Sequence, residues 1–278
     1  MHQRQPEQSK EFLAKPQIHE AWECNYLSPG LDGFYNAAFA RIVEELGDTA
    51  GKNILDLGCG YCYHTQRLAA SELSIIAADF SESALARARE TLAKAGLEHR
   101  VELRQADATK LPFPDASFDN VLIWGVLMHI PEAEKALLQA ARVLKPGGKL
   151  VLAENNAHSL DVVFVERLIN LIKLMIGRKP HERHRARLGI EEWQRAETGG
   201  LMVRKTDMGA LAKFCDGLGL DLDKRFAGQF TEIYTRVKAP GIKRAIQSFN
   251  QFYFQKVGLP GPSMGNILIF RKRPASQG

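Results

Sequence analysis

Two carboxylates flank a glycine turn at a spacing that could hold a nucleoside. Ile54-Leu55-Asp56-Leu57-Gly58-Cys59-Gly60 is a short apolar run breaking into glycines, and Asp79 ends the next apolar run. An acid about 20 residues beyond such a turn is the pattern of a nucleoside-binding βαβ unit. Groups able to take up a proton lie nearby or further on: His64 in the first turn, His129 past the fourth run, Glu154 and His158 past the fifth. Strand carboxyl ends face the ligand crevice in open α/β sheets, which selects His129 and Glu154 as the candidate catalytic residues. Cys59 and Cys62 have redox or metal spacing, but no second pair completes a zinc site, so no metal is expected.

The residues around the turn discriminate between nucleosides. A nicotinamide dinucleotide asks for a third glycine, whereas Gly60 is followed by Tyr61, Cys62 and His64. Asp56 would also repel a pyrophosphate. A cationic cofactor without phosphates suits it better. S-adenosylmethionine has a positive sulfonium and α-amino group, and its ribose diol can donate two hydrogen bonds to a carboxylate such as Asp79.

The positioning elements follow from the apolar runs. Strands are expected at Asn53–Leu57, Ser74–Asp79, Val101–Gln105, Asn120–Trp124 and Lys149–Glu154. Helices are expected at His64–Ser71, at Ser81–Ala95 with Ser81 as cap and Gly96 as stop, and at Glu132–Leu144. The alternation predicts a parallel sheet covered on both faces. Residues 1–18 read as loosely ordered, and His19–Leu46 as helical with Pro29-Gly30 interrupting. The rhythm breaks over 155–206, where apolar Leu160–Ile176 precedes a basic cluster, Arg178, Lys179, His181, Arg183, His184, Arg185 and Arg187. It resumes with helix Met208–Leu218 and strand Leu220–Phe226. Gln229–Val237 reads as an extension or a further strand. Helix Lys243–Phe254 and a last strand, Asn266–Lys272, follow.

The motif Ile54–Gly60 resembles the first motif of class I S-adenosylmethionine-dependent methyltransferases, and the likeness continues in order. Ala78-Asp79-Phe80-Ser81 resembles the ribose-binding turn. Asp107-Ala108 with Leu111–Asp119 resembles the adenine-side loop. Gly125–Ile130 and Arg142–Gly148 resemble the segments after the fourth strand and before the fifth. The resemblance covers 53–154. It implies a Rossmann-like seven-stranded α/β sheet, mostly parallel with the last strand antiparallel, an N-terminal helical cap and an inserted helical lid. It implies S-adenosylmethionine as cofactor. It assigns Asp56 and the Gly58, Cys59 and Gly60 backbone to the methionine end, Asp79 to the ribose, and Asp107 and Ala108 to adenine. Phe80 stacks beside adenine or belongs to the core. Trp124 and Gly125 lie by the methionine moiety. Many relatives carry glycine where Cys62 stands, a polar residue at Trp124 and histidine at Met128. The pattern is broadly like ubiquinone/menaquinone-type and small-molecule-tailoring methyltransferases.

The expected organisation is a cap at 1–46, a cofactor-binding core at 47–154, an acceptor-specificity lid at 155–206 and a C-terminal completion of the sheet at 207–278. The expected acceptor is a small metabolite, sugar or lipid-linked molecule methylated on oxygen. Leu160–Ile176 reads as a lid packed on the core, or as a contact with a lipid-like acceptor or membrane surface through 160–187. The 278 residues are 45% hydrophobic with net charge +5, too mild to argue nucleic acid by itself. After the fourth strand, Trp124-Gly125-Val126-Leu127 lacks the Asn/Asp-Pro-Pro-aromatic run of base-amino methylators. No nucleic-acid partner is therefore expected. An RNA methyltransferase and a non-catalytic cofactor-binding regulator are the alternatives. The polar start and the lack of a long apolar run give a cytoplasmic expectation, as monomer or homodimer.

Overall fold

A computed structural model describes residues 6–15, 17–18, 26–177, 182–196 and 199–274. Seven strands form one sheet. In chain order they are β1 (Asn53–Leu57), β2 (Ser74–Asp79), β3 (Val101–Gln105), β4 (Phe118–Trp124), β5 (Leu144–Asn155), β9 (Leu220–Ala227) and β10 (Gly265–Lys272). The spatial order is β3-β2-β1-β4-β5-β10-β9. β10 runs antiparallel to both neighbours, and the β1, β2, β3, β4 and β5 pairings are parallel. The Rossmann-like sheet with an antiparallel last strand is as expected.

Strand alternation divides the core into two halves. Leu55, Leu57, Val121, Ile123, Leu150 and Leu152 point to one face and pack with α5 (Ala133–Val143) and α7 (Met208–Gly217). Ile54, Ala77, Leu122 and Val151 point to the other, against α2 (Pro29–Leu46) and α4 (Glu82–Lys94). α2 starts at Pro29 because Ser28 is extended and proline suits the first helical position. The expected residues 19–25, with Trp22, lie outside the described residues. α4 is capped by Ser81, whose Oγ accepts the Ala84 amide at 3.2 Å. Short α3 (Thr65–Leu68) follows the glycine turn. β5 begins earlier than expected. Leu144 pairs with Phe118, and the Lys145–Gly148 turn is a register shift inside the strand rather than a loop before it.

Three expectations change. Residues 1–18 are not loosely ordered throughout: Pro6–Leu13 is a helix, α1, which buries Phe12 and Leu13 and lies against β8 (Gly199–Thr206). The insertion is not purely helical. A π-turn at Asp161–Val165 leads into α6 (Glu166–Met175), and then β6 (Glu182–Ala186), β7 (Gly189–Ala196) and β8 form an antiparallel sheet. Leu201, Val203 and Lys205 alternate with Met202 and Arg204, a strand period that the helical reading passed over. Finally, Gln229–Val237 forms no strand. The backbone N–H and C=O of Thr231 bond to the Asn250 side chain, and Asp161 takes the Glu232 amide. Only a 3-10 turn at Ile233–Arg236 follows.

Candidate active site

β1 lies between β2 and β4, so the strand order reverses there and the carboxyl ends open a crevice. Two adjoining cavities occupy it. The smaller, about 210 Å³, is lined by Gly58, Asp79, Phe80, Asp107 and Ala108. The larger, about 740 Å³, extends beneath α1, β8 and the 228–236 segment. Gly60, Trp124, Gly125 and His129 border both.

The glycine turn is fixed from below. Gly58 has φ +80°, and a Cβ there would come within 2.4 Å of Val126. Cys62 stands in the left-handed region at φ +61° and is fully buried. A glycine would adopt that backbone without strain, which gives a physical reason for the relatives' residue there. Asp79 Oδ2 accepts the Gly60 amide at 3.0 Å, and Oδ1 accepts the Ser81 amide at 2.9 Å. Its carboxylate thus ties the turn to the start of α4 at the wall of the smaller cavity.

Asp56 lies beneath the turn and lines neither cavity. Its Oδ2 accepts the Thr65 hydroxyl at 2.6 Å, and burial raises its pKa to about 6. Asp107 is more engaged than the sequence suggests. Oδ1 accepts the Thr109 amide and hydroxyl, both at 2.8 Å, while Lys10 of α1 pairs with Oδ2. Although desolvation opposes it, these bonds hold its pKa below the usual carboxylate range. Ala108 and Phe80 line the smaller cavity. Cys59 and Trp124 line the larger, Trp124 packing 4.8 Å from Phe39 and 5.7 Å from His64 between ring centroids. Gly125, at φ +66°, donates to the Ala153 carbonyl.

The two candidate catalytic residues differ in character. His129 ends a 3-10 turn, Leu127–His129, that hangs from β4. Its Nδ1 lies 3.0 Å from the Met202 carbonyl. A carbonyl only accepts, so Nδ1 carries the hydrogen and Nε2 is the basic nitrogen. Burial lowers the pKa to about 4, leaving the ring neutral at pH 7. Glu154 is buried at the end of β5. Oε1 accepts the Leu127 amide at 3.1 Å, with the Val126 and Met128 amides beside it, while Oε2 has no hydrogen-bond partner. Burial raises its pKa to about 8, so it keeps its proton at neutral pH. It supports the turn that carries His129. His158 is mostly exposed, 4.0 Å from Asp207. Burial lowers the His64 pKa to about 3, and that ring is packed among Tyr35, Phe39 and Trp124.

Several residues went unremarked in the sequence. Arg204 is almost fully buried. It donates to the Leu127 carbonyl at 2.7 Å, the Pro131 carbonyl at 3.1 Å and Glu191 at 2.7 Å, binding the inserted sheet to the His129 turn. On the other face of β8, Lys205 pairs with Glu166 at 2.7 Å, and Arg183 bridges Glu166 and Glu192. Arg187 lies over the Phe214 ring. Part of the basic cluster is therefore structural. Arg178, Lys179 and His181 lie outside the described residues. The available signal was a pair of cations, Arg204-Lys205, in an otherwise apolar alternating strand.

The donor set fits S-adenosylmethionine. Gly60 at φ +52° has nothing within 4 Å of where a Cβ would stand, so backbone meets open cavity there. Asp79 presents a carboxylate to a ribose diol. Phe80 and Ala108 offer flat apolar walls to a purine. The shared border at Gly60 and Trp124 would pass the methionyl end into the larger cavity.

Residues 55–152 match a family model described as a methyltransferase domain. The demethylmenaquinone methyltransferase of Clavibacter sepedonicus is 44% identical over 137 residues, covering 49% of this chain and 54% of that relative. The 27-O-demethylrifamycin SV methyltransferase of Amycolatopsis mediterranei is 42% identical over 115 residues, 41% of this chain and 42% of that relative. The chain spans about half the length of the curated relatives it matches. Among solved structures, the [4+2]-cyclase SpnF superposes with a TM-score of 0.57 at 21% identity, covering 86% of this chain and 81% of that one. That likeness concerns the fold.

Proposed function

We propose that this chain, whose residues 55–152 match a methyltransferase-domain model, is a class I S-adenosylmethionine-dependent methyltransferase that transfers the cofactor's methyl group to a hydroxyl of a small-molecule or lipid-linked acceptor. The observation that carries this reading is His129. Its Nε2 is the basic nitrogen of a neutral ring on the border between the nucleoside cavity and the larger one. The bound cofactor supplies an already activated methyl group on a sulfonium.

The remaining work belongs to the protein. Asp79 and the Gly58–Gly60 backbone orient the nucleoside, and Trp124 and Gly125 wall the crossing into the acceptor cavity. The acceptor oxygen loses its proton to His129 Nε2 as it attacks, which a hydroxyl needs and a carbanion or free amine does not. Glu154 and Arg204 hold the turn that presents His129. Phe12 of α1 and Leu201, Val203 and Lys205 of β8 cover part of the larger cavity. Aromatic walls from Tyr26, Phe34, Tyr35 and Trp124, with Glu232, Asp161 and Lys205 at the polar end, suit an acceptor with an extended apolar body and a polar group. A lipid-linked acceptor would be drawn from a bilayer beside segment 160–187. Relatives named for menaquinone and rifamycin chemistry support an acceptor of this general kind.

The test is transfer of labelled methyl to a panel of hydroxylated aromatic and isoprenoid acceptors by the wild type and His129→Ala. General-base removal should lower kcat by roughly 10²–10⁴-fold, with cofactor affinity changed only a few-fold. Product labelled on carbon or nitrogen, or an unaltered kcat in the variant, would refute the oxygen-directed mechanism.

A further inference from the structure

The faces of α6 and of α8 (Pro240–Phe252) that look away from the core are apolar and uncovered. On the first segment Phe164 is 65% and Met175 79% exposed, with Leu168, Leu171, Leu174 and Ile176 also open. On the second, Ile242 is 58% and Phe252 55% exposed, followed by Leu259 in the next loop. A protein surface seldom leaves so many large apolar side chains together without a partner.

The two segments are linked inside the fold. Thr231 joins them: its hydroxyl donates to Asp161 at the start of the α6 segment at 2.7 Å, and its amide donates to Asn250 of α8 at 3.1 Å. The Leu160 amide also donates to the Pro262 carbonyl, placing the Leu259 loop beside α6. Glu232, Ile233, Thr235 and Arg236 of the segment held between them, and Val165 of the π-turn, line the larger cavity. Both helices are therefore tied to the wall of the larger cavity through these residues.

Charge identifies the occupant. From Ile233 to the C-terminus the sequence contains no Asp or Glu, while Arg236, Lys238, Lys243, Arg244 and Lys256 flank the exposed apolar residues. From Arg167 to His181 there is again no acid, with Arg167, Lys173, Arg178 and Lys179 present. The two acids of the 161–175 segment are paired within the fold: Asp161 to Thr231 and Glu232, Glu166 to Lys205 and Arg183. Surface helices elsewhere mix their charges, as α4 does with Glu82, Arg87, Arg89 and Glu90. Exposed apolar residues on segments whose sequence is rich in cations and poor in acids suit the interface of an anionic bilayer, where acyl chains receive the side chains and headgroups receive the charges.

We propose that α6 and α8 together form a docking surface for an anionic lipid bilayer, with the acceptor cavity opening onto it. Docking itself needs neither cofactor nor turnover; only the route it gives an acceptor rests on the methyl-transfer reading. Among the described residues no helix is long and apolar enough to cross a membrane.

The test is co-sedimentation of the full chain with vesicles of phosphatidylcholine alone and with about a third phosphatidylglycerol. The wild type should bind the anionic vesicles and be released by high salt. Leu171→Ser with Met175→Ser, and separately Ile242→Ser with Phe252→Ser, should each weaken binding at least about tenfold, since two large apolar side chains leave the interface. Arg244→Glu with Lys256→Glu should do the same without altering apolar area. An unbound wild type, or α8 variants that bind as well as wild type, would overturn the proposal. So would a wild-type dimer in gel filtration that the α6 pair disperses, which would assign the face to a second copy. Methyl transfer to a water-soluble acceptor that persists in the variants would separate this failure from failure of the enzymatic reading.

Discussion

Glu154 has to keep its proton to remain where it is. Its folded pKa, about 8, lies above the ordinary value of 4.5, so the folded state binds more protons than the unfolded between those pH values. Stability from this group is complete below pH 4.5 and is lost as pH rises through 8. Glu154→Gln keeps an acceptor for the Leu127 amide and removes the titration. Melting curves of the two proteins should coincide near pH 4.5 and diverge with rising pH, the variant melting at least about 3 °C higher by pH 9. A constant gap across that range would show that Glu154 is ionised in the fold. His129 behaves oppositely. Its lowered pKa keeps the ring neutral above about 4, so its own titration should impose no acid limb on turnover between pH 5.5 and 7.

The insertion matters through one strand. β8 sends Leu201, Val203 and Lys205 toward the larger cavity and Arg204 toward the His129 turn. Arg204→Met removes the bonds to the Leu127 and Pro131 carbonyls and strands Glu191. Breaking a buried pair in this way costs about 3–5 kcal/mol. The variant should melt lower and lose kcat while nearly retaining cofactor affinity, because Arg204 lines neither cavity. An equal loss in cofactor affinity and kcat would mean that the turn also holds the nucleoside. This strand was hard to read because its short period is interrupted by cations, whose partners lie elsewhere in the chain. Helix α4 was legible through its Ser81 cap and Gly96 stop, both local signals. The 229–237 segment was not, since the Asp161 and Asn250 side chains that occupy its backbone come from elsewhere in the chain.

Across the whole molecule, the sheet from β1 to β5 was legible because near-continuous apolar runs separated by glycine turns admit few arrangements. The glycine turn and Asp79 were legible for the same local reason. Asp56 appeared as a ligand-facing acid in the sequence and is a buried brace to Thr65 in the structure, a distinction that only burial draws. α1 was unreadable because the surface that buries Phe12 and Leu13, including β8, lies far away in sequence. The two cavities adjoin at Gly60, Trp124, Gly125 and His129, and the proposed path from cofactor to acceptor has its foundation in cofactor binding in the smaller one. The most direct measurement is calorimetric titration of S-adenosylmethionine and S-adenosylhomocysteine into the wild type and Asp79→Ala, with melting curves to verify folding. Micromolar binding by the wild type, weakened at least about tenfold in a folded Asp79→Ala through loss of charge-assisted bonds to the ribose, is the predicted result. No binding by the wild type, or equal binding by the variant, would contradict the account.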